Sequence, residues 1–195
     1  MTAPVIHFHR VVSTNLHARE EIVSGRLTHG HGPALFLADE QTGGVGRFER
    51  PWSSPRGGLW CTLAWPIAGD PSPILEGLGL RIGVACTEFV ESLLTSAPGH
   101  RVRLKWPNDV LIDGRKVLGV LTELLPRPSG AWLLAGVGLN ANFPIEKLPP
   151  DLRDVATTLQ AAADLTIDLT RSASLLAAAI EDAIPPPPEP DRAGT

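Results

Sequence analysis

The sequence predicts an α+β fold in which a mixed or antiparallel β-sheet carries helices on one face. Apolar runs of strand length occur in pairs, two longer segments carry apolar residues at helical spacing, and an Asp-Gly pair joins two of the strand segments. Paired strands with helices between them are typical of this class. We expect one domain, residues 1–184, and a disordered proline-rich tail, residues 185–195, with little to bury.

The first half of the chain contains three predicted strands and one helix. The predicted strands are Val5–Val12, Ala34–Asp39 and Gly58–Trp65. Ser13-Thr14-Asn15 supplies side-chain oxygens that cap a helix running to about Ser24. Between the second and third strands, Gln41–Pro55 is a loop rich in glycine, arginine and proline.

The second half begins with a long predicted helix, Ile74–Thr95, in which Gly77 and Gly79 are interpreted as packing positions. The predicted strands that follow are Val102–Lys105, Asp109–Ile112, Lys116–Glu123 and Trp132–Gly138. Asp113-Gly114 is a strong hairpin signal between two of them. A final helix is predicted over Asp168–Ile184.

Composition and charge argue against several classes of function. The net charge of −4 and the pI of about 5.8 argue against nucleic acid as the main partner. Cys61 and Cys86 lie in apolar runs, which indicates buried structural thiols, and the six histidines form no HExxH motif, so we expect no metal site in the protein itself. No apolar run reaches about 18 residues and no signal peptide is present, which predicts a soluble cytoplasmic protein without membrane association.

The loop EQTGGVGRFERPW has the composition of an anion-binding segment. Gly43, Gly44 and Gly46 allow close backbone approach to a ligand, and Arg47 with Arg50 supplies cations suited to phosphate or carboxylate. Trp52 would add a flat apolar wall. GxxxxGK[ST] is absent, so this is no P-loop. The alternative is a surface turn with solvated arginines.

GVGLNA, Gly136–Ala141, matches GxGxxA but lacks the context of a dinucleotide site. Asn142-Phe143-Pro144 follows at once and prevents the helix on which a pyrophosphate would rest. The glycines either end a strand tightly or let another ligand approach closely, with Asn140 as a polar contact.

The segment KWPNDVLIDGRKVLGV places unlike polar groups close together. A hairpin through Asp113-Gly114 would bring Asp109 near Lys116. As an exposed salt bridge this pair would contribute only about 0–1 kcal/mol. The alternative is a pocket in which Lys116 meets a carboxylate and an α-phosphate.

Four segments resemble, in the same order, the catalytic domain of bacterial biotin protein ligases. The segments are Ser13-Thr14-Asn15, Glu40–Trp52, Lys105–Glu123 and Gly136–Asn142, and Val155–Leu159 resembles a fifth, weaker one. Together they span nearly the whole chain. KWPND followed by GRKxxG at this distance is the most specific of them.

The resemblance implies the class II aminoacyl-tRNA synthetase-like fold of biotin and lipoate ligases, and an ATP-dependent, AMP-forming biotin–[acetyl-CoA-carboxylase] ligase. In that reaction the biotin carboxylate attacks the α-phosphate of ATP, giving biotinyl-5′-AMP and pyrophosphate. A lysine of a biotin carboxyl carrier protein then takes the biotinyl group. Such chemistry needs cations, backbone amides and positioning around two anions, with magnesium carried mainly by ATP.

The resemblance also implies the roles of individual residues. Lys116 and Arg47 are the implied catalytic cations. The residues implied to bind biotin are Ser13, Thr14, Asn15, Gln41, Gly44, Val45, Trp52, Lys116, Gly119, Gly136 and Gly138. The residues implied to bind ATP or the adenylate are Arg47, Arg50, Trp52, Asn108, Lys116 and Asn140.

The glycine-rich loop departs from the GRGRxGR that is usual in the family. Val45 and Phe48 replace residues that are often basic, and Glu49 replaces a glycine. A like charge about 5 Å from an anionic ligand costs roughly 3 kcal/mol at an effective dielectric of ~20. We expect slower adenylation or weaker retention of the adenylate if Glu49 faces the ligand, and little effect if it points outward.

No segment of the sequence resembles the helix-turn-helix of repressor-type ligases or the small β-barrel that often follows the catalytic domain, so we expect no DNA binding. The implied partner is the carrier domain of acetyl-CoA carboxylase or a related carboxylase, and the family pattern allows a homodimer. Two other functions stay open: a lipoate or octanoate ligase or transferase, and a non-catalytic module that holds biotin or its adenylate.

Overall fold

The computed structural model of the protein describes residues 3–128 and 130–185. The strands are β1 Val5–Phe8, β2 Ala34–Ala38, β3 Leu59–Ala68, β4 Val102–Lys105, β5 Asp109–Ile112, β6 Arg115–Arg127 and β7 Gly130–Leu139. They form one seven-stranded sheet in the order β1-β2-β3-β7-β6-β5-β4. β1 pairs with β2 in parallel and every other neighbouring pair is antiparallel, which confirms the predicted mixed sheet.

The helices are α1 Thr14–Val23, α2 Ser72–Leu75, α3 Leu78–Leu93, α4 Leu159–Ala163 and α5 Leu169–Ala183. The two long helices, α3 and α5, cover one face of the sheet as expected, where they share a core with Leu35 and Leu37. The short α1 lies on the opposite face and packs Ala18 against Phe36 and Trp132. Successive side chains of a strand point to opposite faces, so β2 serves both layers.

The β5–β6 hairpin forms where Asp113-Gly114 predicted it. Asp113 has φ 49° and Gly114 has φ 85°, as a two-residue turn of this hand requires. β4 and β5 have the predicted bounds, whereas β6 continues past Glu123 to Arg127 and pairs with β7 to its end. Pro126 is compatible with this extension, because β5 pairs with β6 only as far as Gly119 and the other edge of β6 has no paired strand there among the described residues.

The predicted long helix Ile74–Thr95 is divided in two. Gly77 has φ 67°, a left-handed conformation that separates α2 from α3. The interpretation of Gly77 and Gly79 as packing positions was wrong, because a Cβ added at either would meet nothing within 4 Å among the residues that the structure describes. Of the predicted tail, residues 186–195 lie outside the described residues.

The face that carries α1 also provides the space for a site. Along β7, Trp132 and Leu134 pack beneath α1, and Gly136 and Gly138 continue the same face without side chains. The intervening residues of the strand point into the helical core instead. Within residues 3–128 and 130–185, no helix is long and apolar enough to cross a membrane.

We predict that Asp168→Ala destabilises the protein by about 1 kcal/mol and lowers its Tm by about 2–4 °C. The Asp168 carboxylate caps α5 by accepting a hydrogen bond from the amide of Arg171 at 3.0 Å. Thermal denaturation followed by circular dichroism measures the change. Asp182→Ala, an exposed change near the other end of α5, is the matched control, and equal losses in both variants would contradict the cap.

Candidate functional site

Two adjoining clefts meet at one set of side chains. The first is narrow, with a volume of about 60 Å³, and the second is wide, at about 550 Å³. The residues that line both are Gly46, Arg47, Trp52, Asn108 and Lys116. The glycine-rich loop, the KWPND segment and β6 therefore converge on the junction between the clefts.

The narrow cleft collects most of the residues predicted to bind a ligand. Those that line it are Ser13, Thr14, Asn15, Gln41, Val45, Arg47, Trp52, Asn108, Lys116, Gly119, Gly136 and Gly138. Arg50 and Asn140 line the wide cleft instead. Gly44 lines neither, although its carbonyl accepts a hydrogen bond from the Trp52 amide at 2.8 Å and so helps to hold Trp52 in place.

The start of α1 and the loop after β2 are joined by hydrogen bonds at the polar end of the narrow cleft. Ser13 caps α1, which presents Thr14 and Asn15 from its first turn. The Gln41 Oε1 accepts from the amide of Thr14 at 2.8 Å, while its Nε2 donates to the Ser54 hydroxyl at 2.9 Å. These bonds fix which way the Gln41 amide points, because the Thr14 amide can only donate.

Trp52 lies directly against two glycines of the sheet. A Cβ on Gly138 would come within 2.4 Å of the indole Nε1, and one on Gly119 would come within 3.0 Å of the ring. Only glycine leaves room for the indole at Gly138. The Nε1 is buried and has no hydrogen-bond partner among the described residues, so it offers a donor to a ligand.

Lys116 is held by contacts to both its side chain and its main chain. Its ammonium lies 2.7 Å from Asp109 Oδ1 and 4.8 Å from the centroid of the Trp52 ring. With side-chain exposures of 29% and 20%, Lys116 and Asp109 form a half-buried pair, not the exposed salt bridge considered above. The Lys116 amide donates to Val155 and its carbonyl accepts from Thr157, at 2.9 and 2.8 Å.

The same segment, Val155–Leu159, also holds Asn140. The Asn140 Nδ2 donates to the Thr157 carbonyl at 3.0 Å, and its main-chain carbonyl accepts from Leu159. Asn140 is 3% exposed, and its Oδ1 has no partner within the described residues. The weakest of the five motif segments thus anchors two of the predicted site residues.

Arg47 connects the glycine-rich loop to the KWPND segment. Its Nη1 donates to Asn108 Oδ1 at 3.3 Å, and its guanidinium lies 5.0 Å from the centroid of the Phe48 ring. Phe48 and Glu49 both have positive φ, 58° and 57°, which is strained for residues with a Cβ. Glu49 is exposed and lines neither cleft, so we expect its charge to cost little.

Sequence reasoning missed several residues around the clefts. Cys61, Leu121 and Val137 line the narrow cleft from within strands, and Lys105, Asp109 and Asp154 line the wide one. Cys61 lies outside the motif segments, and Leu121 and Val137 lie within them but look like ordinary members of apolar strands. Over residues 3–128 and 130–185, no cluster of three histidine, cysteine or acidic side chains is placed to hold a metal ion.

Comparison with known proteins identifies the protein family. The family model described as biotin/lipoate A/B protein ligase matches residues 9–140, and the fold is that of these ligases. The chain therefore belongs to the biotin/lipoate A/B protein ligase family.

Its relatives include a bifunctional ligase/repressor BirA from Bacillus subtilis, 34% identical over 83% of this chain and 48% of that protein. A biotin–[acetyl-CoA-carboxylase] ligase from Mycobacterium tuberculosis is 31% identical over 87% of this chain and 59% of that one. The biotin protein ligase of Aquifex aeolicus, solved with biotin and ATP, has a TM-score of 0.71 at 30% identity, over 92% of this chain and 69% of that chain. The chain spans about half of the length of the curated relatives that it matches first.

We predict that neither cysteine reacts with iodoacetamide in the folded protein at pH 8, although Cys61 belongs to the cleft lining. Burial raises the pKa of the Cys61 thiol to about 12, and burial also raises the pKa of Cys86. In the unfolded protein a thiol has a pKa of about 8.5, so both cysteines should react in urea. Because the folded thiols ionise only at higher pH, the stability that their burial contributes should fall as the pH rises from about 8.5 towards 12. Mass spectrometry counts the adducts, and rapid labelling of native Cys61 would contradict the prediction.

Proposed function

We propose that this chain is the catalytic domain of a biotin–protein ligase, residues 1–184. It activates biotin with ATP to biotinyl-5′-AMP and transfers biotin to a lysine of a biotin carboxyl carrier protein. The observation that carries the proposal is the junction of the two clefts at Arg47 and Lys116. A carboxylate from one cleft and a phosphate from the other would meet at these two cations.

The chemistry of the residues that line the narrow cleft suits the bicyclic end of biotin. Its polar end carries Thr14, Asn15 and Gln41, which present amide and hydroxyl groups to a ureido ring. Gly136 and Gly138 form its floor and Trp52 its wall, an apolar setting for the thiophane ring and the chain. The polar residues favour biotin over lipoate or octanoate, whose rings and tails have no hydrogen-bonding groups to match them.

The wide cleft suits a nucleotide. Its cationic residues are Arg47, Arg50, Lys105 and Lys116. Asn140 lines this region, and its buried Oδ1 has no hydrogen-bond partner among the described residues; such an oxygen would fit a magnesium ion that arrives with ATP, because magnesium prefers oxygen ligands. Such an ion would neutralise phosphate charge. The Aquifex aeolicus relative was solved with both biotin and ATP, which supports the same two-substrate site here.

In the first step the biotin carboxylate oxygen attacks the α-phosphorus, forming a phosphorus–oxygen bond as the bond to pyrophosphate breaks. Lys116 and Arg47 offset the repulsion between the two anions and the charge that develops at phosphorus. In the second step the neutral amine of the carrier lysine attacks the carbonyl of the mixed anhydride. An amide forms, AMP leaves, and the amine gives up a proton.

We extend the proposal to a cytoplasmic enzyme that acts without nucleic acid and pairs as a homodimer. The net charge of −4 is unsuited to a nucleic-acid partner, and the two buried thiols are free, as in a reducing compartment. The sheet ends in β1 and β4, and each has one edge without a paired strand among the described residues. Light scattering on the eluted protein reports whether two copies pair.

We predict biotin-dependent ATP–pyrophosphate exchange that Lys116→Ala reduces by roughly a hundredfold or more, because the lysine offsets charge that is greatest in the transition state. The assay is run with biotin, lipoate and octanoate in parallel. The matched control is Lys147→Ala. Lys147 is remote from Lys116 in sequence and lines neither cleft, so this variant should retain full exchange.

Other results would replace the proposal. Exchange with lipoate or octanoate alone would make the chain a lipoate or octanoate ligase. Biotin binding in calorimetry without exchange for any acid would make it a binding module that does not catalyse.

We predict that Gly138→Ala abolishes biotin binding, since its Cβ would lie 2.4 Å from Trp52 Nε1 and displace the indole that walls the cleft. Gly79→Ala is the matched control. It lies in the first turn of α3 with no described atom of the surrounding structure within 4 Å of the added Cβ, so it should stabilise the protein by at most about 0.5–1 kcal/mol, the value for a helix interior, and leave biotin binding unchanged. Titration calorimetry and thermal melts separate the two effects, and unaltered biotin binding by Gly138→Ala would contradict the placement of Trp52.

A further inference from the structure

We infer that Glu123 and Thr62 are positioning residues that lock the side-chain amide of Asn15 in one orientation and thereby select a ligand with a polar ring. Neither residue belongs to the site predicted above, and neither lines the two clefts. The inference rests on the proposed function, because it assigns the selection of biotin to the polar end of the narrow cleft.

Glu123 reaches the site from the middle of β6. Its Oε1 accepts a hydrogen bond from Asn15 Nδ2 at 3.1 Å, and its Oε2 accepts one from Arg19 Nη2. Asn15 and Arg19 are one helical turn apart on α1, so one carboxylate ties two successive turns of the helix to the sheet. The Glu123 side chain is only 27% exposed, so its charge is partly removed from water. The ion pair with Arg19 offsets the cost of that burial.

The carboxylate decides which way the Asn15 amide points. Paired with a guanidinium, it can only accept hydrogen bonds, so the nitrogen of Asn15 has to face it. The Asn15 oxygen then faces Thr62, whose Oγ1 donates to it at 2.5 Å. A flipped amide would place oxygen against carboxylate and lose the bond to Glu123, and the Thr62 hydroxyl would have to turn from donor to acceptor.

Thr62 bonds to the Asn15 amide from a buried position in the sheet. It lies in β3 with none of its surface exposed, in a strand that is otherwise apolar. Its Oγ1 is also 2.8 Å from the Thr14 hydroxyl, which in turn lies 3.1 Å from Gln41 Oε1. A buried hydroxyl in a strand core is costly unless it is hydrogen-bonded, and here its partners are the residues that face the ligand.

Close packing prevents the amide from moving aside. A Cβ on Gly136 would lie 2.1 Å from Asn15 Oδ1, so the amide lies flat against the backbone of β7. Glu123, Thr62 and Gly136 thus confine the Asn15 amide from three strands, β6, β3 and β7. A ligand meets an amide whose donor and acceptor positions are already set, which lowers the cost of binding a ring that matches them.

The test compares Michaelis constants in the exchange assay. Glu123→Leu and Thr62→Val should each raise KM for biotin roughly ten- to a hundredfold, because each removes a partner of the Asn15 amide. We expect kcat at saturating biotin and KM for ATP to change less than about threefold, since neither residue touches the wide cleft. Glu123→Gln and Thr62→Ser keep an acceptor and a hydroxyl, and should restore most of the affinity.

Glu88→Leu, an exposed change on α3, is the matched control and should leave both constants unaltered. Equal changes in the biotin and ATP constants, or no rescue by the conservative variants, would mean a general structural role and overturn the inference. Unchanged biotin affinity in Glu123→Leu would also overturn it. Calorimetry with wild-type protein keeps the two proposals apart: if wild type does not bind biotin, the proposed function fails; if wild type binds and the variants bind equally, only this inference fails.

Discussion

The structure depends on a constraint at β7, the central strand that must serve two faces of one sheet. Its residues alternate between a sealed apolar core under α3 and α5 and the layer that holds α1. At Gly136 and Gly138 the second face has no side chains, and Asn15 and Trp52 occupy the space that Cβ atoms would fill. The site therefore lies where one face of a well-packed sheet lacks side chains, and the strands on either side hold its walls rigid.

The second fixed element is the segment Val155–Leu159, which comes late in the chain yet sets the position of residues far earlier. It hydrogen-bonds the main chain of Lys116 on both sides and holds the Asn140 side chain. Bonds to main chain leave the ammonium of Lys116 free to respond to a ligand while the Cα stays in place. A cation that must meet two anions at one point gains most from being anchored in this way.

The contiguous motifs were predictable because each concentrates unusual residues in a short stretch, and the structure brings nearly all of them to the two clefts. Single residues within regular elements were not predictable. Thr62 looks like a β-branched strand residue and Glu123 like a solvent-facing one, because a buried polar link is visible only once both ends are placed. The break at Gly77 was hidden for a related reason: a helix tolerates an isolated glycine at a cost of about 1 kcal/mol, so its presence alone does not end one.

The state of Lys116 suggests how the site keeps a cation ready before the substrates arrive. A half-buried ammonium without a partner would be costly, and here Asp109 and the face of Trp52 share its charge. The contact to Asp109 is short, but its angles are not those of a hydrogen bond, so the ammonium keeps donors for other acceptors. A carboxylate or phosphate entering the junction would offer better geometry and more charge than Asp109 does. Lys116 would then exchange Asp109 for an incoming anion without crossing the site, and the free energy of that exchange would favour the complex in which both anions are present.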